Sequence, residues 1–418
     1  MAKDTWYKVD NVAKVFLASA NKRDTRCCRM TCTLNEDIDE HILNEALELA
    51  AAERPQYQVT IQRGFFWHYM ESTDSKPVAV PENDRPCPDL YTYKNFGKLH
   101  YLVSYYNNRI NLDFFHAIAD GNGAIEYLNL IVMHYLKLKH PEELHDFCFN
   151  TGTSDEELSQ DSFEHFYEKK SSDKRNHPNR KAYHIMGSKL PNHQLKFMEV
   201  HMKASDVLAK SHEMDVSLSA YLGAKLMKAV YDTMPALLRN KPITISMPVN
   251  LRNYYPSQTS RNFFNSVFIS KVLKPEETLS DIASYYSKSL KECLTPEAVR
   301  ERMNNYEKME RFFLVRMVPL FIKNPVVNIV TKQNNKKVTA VLSNLGKLTV
   351  PEEVNEYINS YAAYCSTNSL FVVVSTYKDD LVLGISSAFR NTQVLKNFIT
   401  GISDEGIDVT LYANEIVE

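Results

Sequence analysis

Apolar positions alternate along Leu99–Tyr106 and again along Arg109–Phe115, with Asn107-Asn108 between them. That pattern predicts an antiparallel hairpin closed by a two-residue turn. On its second strand Ile110, Leu112, Phe114 and His116 share one face, so His116 continues a buried side. Just beyond, Ile125, Leu128, Val132 and Tyr135 recur at helical spacing and predict a helix with a core-facing stripe. Upstream, Arg26–Leu34 reads as a strand, and Asp39–Glu53 as an amphipathic helix stopped at Arg54-Pro55. Tyr57–Ile61 and Phe65–Met70 flank Gln62-Arg63-Gly64 as a second hairpin, followed by a proline-rich connection from Pro77 to Pro88.

From His140 to Arg180 the periodicity fades into polar and charged runs, Thr151–Glu157 and Lys169–Arg175, which read as a solvated linker. Beyond it, Leu195–Val200 is a predicted strand, and Ala204–Glu213 and Ser217–Met234 are predicted helices. Ile243–Arg252 is an apolar strand ending in a positive charge, and Arg261–Asn265 leads into a strand over Ser266–Val272. Helices are expected over Thr278–Glu292 and Glu297–Phe312. A strand over Val338–Leu342 is delivered into Ser343-Asn344-Leu345-Gly346. Leu370–Thr376 and Leu381–Ser387 pair around Lys378-Asp379-Asp380, and Val394–Gly401 and Val409–Tyr412 close the chain as helix and strand. The apolar run Phe312–Val330 is broken by Arg316, Pro319, Lys323 and Pro325, which excludes a simple spanning helix. A buried helix pair is the first reading and peripheral contact with lipid the lesser one. The whole predicts an α+β (α/β sandwich) chain of two comparable mixed-sheet lobes, 1–180 and 181–418, with no strict repeat.

Composition narrows the function classes. The 418 residues carry a net charge of −2, so no electrostatic footprint for nucleic acid exists. Only 11 glycines occur and no Gly-rich phosphate loop can be found. The N-terminal Met1–Trp6 lacks an apolar signal core, so a cytoplasmic chain with reduced cysteines is expected, with no transmembrane segment. Cys28, Met30, Cys32 and Leu34 alternate as one buried strand face. Cys27, Cys28 and Cys32 lack zinc-site spacing, so core packing is expected and no metal.

The candidate chemistry is His116-x-x-x-Asp120-Gly121, at a strand end where a helix opens. A histidine there can be a general base or a hydrogen-bonded core residue, and the spacing alone leaves the two even. Asp120 reads as structural, because a buried carboxylate needs a cationic partner. Arg252, at the end of its apolar strand, is the first choice ahead of Arg54 and Arg63, with a solvated Arg252 as the alternative. Glycine lets a substrate approach a backbone N–H.

Phe115–Gly121, Met247–Arg252 and Leu342–Gly346 occur in the order typical of the chloramphenicol-acetyltransferase-like superfamily, which the whole chain resembles. Its members include condensation domains, wax-ester synthases and bacterial alcohol acetyltransferases, and the likeness is greatest to the alcohol-acetyltransferase and condensation-domain-like branch. The resemblance implies a pseudo-dimer with a tunnel between the lobes, entered by an acyl thioester from one side and an alcohol or amine acceptor from the other. It puts His116 on the catalytic histidine, Asp120 on the structural aspartate and Gly121 on the motif glycine, and an aspartate–arginine pair beside the site is common there. Phe115 replaces the first of two adjacent histidines, which makes a peptide-synthesis role less favoured. The plant-type Asp-Phe-Gly-Trp-Gly block is absent.

In such chemistry His116 takes the acceptor's proton during attack on the thioester carbonyl, and the Gly121 N–H is the leading oxyanion donor. Ser343 and Asn344 either line the tunnel and bind substrate or form a strand-end turn. Acyl-CoA is expected as co-substrate, with no permanently bound cofactor. An acyl-carrier protein as donor, and a non-catalytic binding protein on the same scaffold, are the alternatives. Retention of His116 and Asp120 argues against the last.

Overall fold

The computed structural model describes residues 6–82, 85–91, 99–149, 152–168, 180–311 and 318–416; the charged run Lys169–Arg175 and residues 312–317 of the apolar run lie outside them. The first half builds β1 (Trp6–Lys8), α1 (Asn11–Ser19), β2 (Cys27–Leu34), α2 (Glu40–Glu53), β3 (Val59–Arg63), β4 (His68–Ser72), β5 (Val80–Pro81), β6 (Tyr101–Tyr106), β7 (Arg109–Phe115) and α3 (Gly121–Lys139). Two short helices, α4 (Asp155–Ser159) and α5 (Ser162–His165), lie in the connection. Next come β8 (Lys196–Lys203), α6 (Ala204–Glu213), α7 (Leu218–Thr233), β9 (Ile243–Asn250), β10 (Phe264–Lys271), α8 (Leu279–Cys293), α9 (Pro296–Arg311) and α10 (Leu320–Asn335). The chain finishes with β11 (Ala340–Leu348), β12 (Ile358–Cys365), β13 (Leu370–Tyr377), β14 (Asp380–Ser387), α11 (Gln393–Ser403) and β15 (Thr410–Ala413).

Three sheets result: β1-β4-β3, β12-β2-β7-β6-β5 and β10-β9-β11-β13-β14-β8-β15. The β6–β7 hairpin pairs Tyr101 with Phe114 and Tyr106 with Arg109, and Asn107 takes the left-handed conformation of the turn (φ 49°). Local chemistry sets the helix starts. Asp39 accepts the His41 and Ile42 N–H groups at the head of α2, and Thr278 with Asp281 forms a capping box on α8. α2 and α3 pack their apolar stripes on the five-stranded sheet, and α7, α8 and α11 cover the seven-stranded one, giving the two larger cores; a small third one gathers Phe163, Leu251, Phe263, Val299 and Met303.

Four expectations meet corrections. First, residues 358–365, read from chain order as part of the second lobe, form β12 and pair antiparallel with β2 in the first sheet. Second, that register sets Cys365 opposite Cys28, and the two sulfurs are bonded as a disulfide across 337 residues of chain instead of remaining reduced. No local spacing announces such a pair. Third, Ser343–Gly346 does not end its strand: β11 runs on to Leu348 and bulges between Asn344 and Gly346. Fourth, α10 is not buried; Leu320 is its single buried residue. Among the described residues no helix is long and apolar enough to cross a membrane.

Candidate active site

β7 is the middle strand of its sheet, and His116 stands just past its end, its N–H bonded to the Arg26 carbonyl at 2.8 Å. The imidazole is held by Asn262, in the loop before β10. The Asn262 Nδ2 faces two acceptors, Asp10 Oδ2 at 3.2 Å and the His116 carbonyl at 3.0 Å. Its Oδ1 therefore faces His116 Nδ1, 3.1 Å away. An amide oxygen only accepts, so Nδ1 carries the proton and the lone pair lies on Nε2.

The rings of Phe16, Phe264 and Phe114 surround the imidazole, with centroids 4.5, 5.5 and 5.9 Å away. Burial lowers the His116 pKa from its ordinary 6.5, against the opposing pull of Asp120 and of its hydrogen bonds. The ring is thus neutral at pH 7, as a general base must be. Asp10, which caps α1 through the Ala13 N–H, lies behind Asn262; burial pushes its carboxyl up to about 6 despite the Arg261 guanidinium 3.8 Å away.

Asp120 caps α3. Its Oδ1 accepts the Gly123 N–H at 3.0 Å, while Oδ2 accepts Arg252 Nη1 at 2.7 Å and the Phe263 N–H at 2.9 Å. Arg252 also donates to the carbonyls of Thr259 and Arg261, so its fork is fully used. Arg54, a rival in sequence, bonds instead to the Glu53 carbonyl. Gly123 has a structural reason to lack a side chain, because a Cβ there would overlap the Ser260 carbonyl. At the same helix start the Gly121 and Asn122 N–H groups have no intrahelical acceptor.

The third motif reaches this helix start through Leu345, whose Cδ2 would be 3.0 Å from a Cβ on Gly121. Asn344 is turned elsewhere: it donates to Ser219 Oγ at 2.9 Å and accepts the Gly346 N–H at 2.8 Å. Ser343 is half-buried on β11. The structure therefore brings His116, Asp120, Gly121 and Arg252 together and ties Asn344 into the bulge.

Sequence reading missed Asn262, Asp10 and Phe16. The one signal available was an asparagine just before the apolar Phe263-Phe264 pair, at a place where a polar side chain must find a partner. Among the described residues one group has metal-ligand spacing, Cys27, Cys87 and Asp113. It does not fit an ion: Asp113 is gripped by Arg29 at 2.7 Å and by the Cys87 N–H at 3.0 Å. Burial also pushes the Cys27 thiol up, keeping it protonated.

No protein-family model and no curated protein matches the sequence. Solved structures do. TRI101 of F. sporotrichioides, complexed with coenzyme A and T-2, is 11% identical over 99% of this chain and 100% of its own, with a TM-score of 0.65. The first condensation domain of the CDA synthetase is 11% identical over 95% and 94%, with a TM-score of 0.62. TRI3 trichothecene 15-O-acetyltransferase from Fusarium sporotrichioides is 12% identical over 94% of each chain, at 0.60. The chain thus has the two-lobed fold of these condensation domains and acetyltransferases, the fold that its resemblance to the chloramphenicol-acetyltransferase-like superfamily implies.

Proposed function

We propose that this protein transfers an acyl group from the thioester of acyl-CoA to an alcohol or amine acceptor, with His116 as general base. The observation that carries the reading is His116 beside the start of α3, its Nδ1 facing the Asn262 Oδ1 and its pKa lowered by burial. The acceptor oxygen or nitrogen attacks the thioester carbonyl while Nε2 takes its proton. The tetrahedral oxyanion is met by the Gly121 N–H at the positive end of α3. Collapse breaks the carbon–sulfur bond, the Nε2 proton goes to the departing sulfur, and free thiol and acylated acceptor result. No acyl-enzyme forms, so no nucleophilic serine or cysteine takes part. Asp120 and Arg252 hold the turn between His116 and α3 in shape. Ser343 borders the substrate path, while Asn344 holds the β11 bulge beside it.

The reading agrees with the solved relatives of the same fold, one bound to coenzyme A and one a 15-O-acetyltransferase. Its test is thiol release from a panel of acyl-CoAs, with and without candidate alcohols and amines. His116→Ala should lower turnover by roughly 10²–10⁴ with unchanged melting. Equal turnover in that variant removes the base from His116. Thiol release only from acyl groups carried on a phosphopantetheinylated protein replaces CoA by a carrier as donor.

A further inference from the structure

The helix α10 (Leu320–Asn335) turns most of its apolar side chains to solvent. Its solvent side carries Phe321, Ile322, Val326, Ile329 and Val330, exposed by 60, 48, 53, 57 and 50%. Its body side carries Leu320 and Val327 together with the half-buried polar Asn324, Asn328 and Thr331. A helix on a protein in water turns its apolar arc inward. The tip of the β3–β4 hairpin extends the same patch. Leu320 N–H bonds the Phe65 carbonyl at 2.9 Å, Lys323 Nζ bonds the Phe66 carbonyl at 3.0 Å, and the Phe65 and Phe321 rings meet edge-on at 6.3 Å. Phe65 is 64% and Trp67 52% exposed. One contiguous apolar surface with two aromatic rings at its edge results, which is uncommon on a chain with no partner.

Charge says what covers it. From Leu320 to Val350 the sequence has five basic residues and no acidic one, in a chain whose net charge is −2. Lys332 and Lys336 project from the end of α10. Lys14, Arg63 and Lys323 all press on His68, whose pKa burial and these charges bring down to about 4. A second copy of the chain would set this positive rim against itself, which disfavours a symmetric dimer. A bilayer with anionic headgroups matches both features: apolar and aromatic side chains enter the headgroup–acyl boundary, and lysines stay at the phosphates. We propose that α10 and the β3–β4 hairpin tip form a docking surface for anionic membranes. The inference stands whether or not the protein transfers acyl groups.

Flotation of the full chain with phosphatidylcholine vesicles, with and without phosphatidylserine, tests it. Binding is expected with the anionic vesicles and should weaken with salt. Trp6 and Trp67, the chain's two tryptophans, both lie exposed on the three-stranded sheet or at its tip, so emission should shift to the blue on binding. Phe321→Ser with Ile329→Ser replaces two solvent-facing side chains and should abolish flotation while melting stays unchanged. Lys332→Gln, Lys336→Gln and Lys337→Gln together should weaken binding on the order of 100-fold. No flotation with anionic vesicles overturns the proposal, as does flotation undiminished in the Phe321/Ile329 variant. A dimer in light scattering that this variant makes monomeric also overturns it, by giving the patch to a second copy.

Discussion

A histidine serves as a base when one ring nitrogen is free and the ring is uncharged, and at His116 these conditions have separate sources. Asn262 sets the tautomer through Nδ1, and the phenylalanine cage with its exclusion of water sets the charge. Burial lowers the His116 pKa, so in the proposed reaction the ring is neutral above about 6.5 and the acidic limb of kcat/KM should fall below that value. Rising pH costs nothing through His116. Asn262→Asp reverses part of this: a carboxylate on the Nδ1 proton stabilises imidazolium, so the limb should move to higher pH. Asn262→Ala should lower kcat about 10–100-fold with KM little changed, as for other groups that orient a ring through its second nitrogen. A pH profile identical in wild type and Asn262→Asp would show that Asn262 does not orient the base.

At the scale of elements, Asp120 is where three of them meet: it caps α3, pairs with Arg252 after β9, and accepts the Phe263 N–H that opens β10. Removing it leaves a buried guanidinium without its charge partner, so Asp120→Ala should lower unfolding free energy by about 3–5 kcal/mol in chemical denaturation. Arg252→Leu should cost a similar amount, and the double variant clearly less than the sum, since each single change strands the other charge. Additive losses would mean the pair is not the unit it looks to be. Arg252 was legible in the sequence because a charge ending so apolar a strand needs a destination, and the hairpins and capped helices because their signals are local. Asn262 and Asp10 were not, since Asn262 meets His116 across 146 residues and Asp10 reaches Asn262 across 252, with nothing nearby to mark them. The direction α10 faces was also hidden: apolar content says that a helix wants cover, not which neighbour supplies it. β12 escaped for a related reason, as strand order in sequence does not decide which sheet a strand joins.

Across the whole molecule the two larger sheets are joined by a buried charge cluster centred on Glu199. Arg109 on β7 donates to its Oε2 at 3.1 Å, Tyr364 on β12 donates to the same carboxylate, and His201, its neighbour on β8, bonds it at 2.8 Å and Asp380 at 3.0 Å. Gly384 of β14 lets the Ala363 backbone of β12 approach where the same two sheets pack, since a Cβ would overlap that carbonyl. Despite its burial, the hydrogen bonds from His201 and Arg109 hold Glu199 down at about 2, from an ordinary 4.5. His201, although partly buried, is raised to about 9 from 6.5 by Asp380 and Glu199. The signs follow from linkage. Glu199 binds its proton more weakly when folded, so its contribution is complete above about 4.5 and is lost as pH falls towards 2. His201 binds its proton more strongly when folded, so its contribution is complete below about 6.5 and is lost as pH rises through 9. The cluster's own contribution to stability is therefore largest between about 4.5 and 6.5, and the melting-temperature gap between wild type and a cluster variant should shrink on both sides of that window. Glu199→Gln should lower stability by about 3–5 kcal/mol and flatten both arms, because the acidic titration disappears and His201 loses one of its two partners. A Glu199→Gln protein whose melting temperature keeps the wild-type pH dependence would place the coupling between the sheets somewhere other than this cluster.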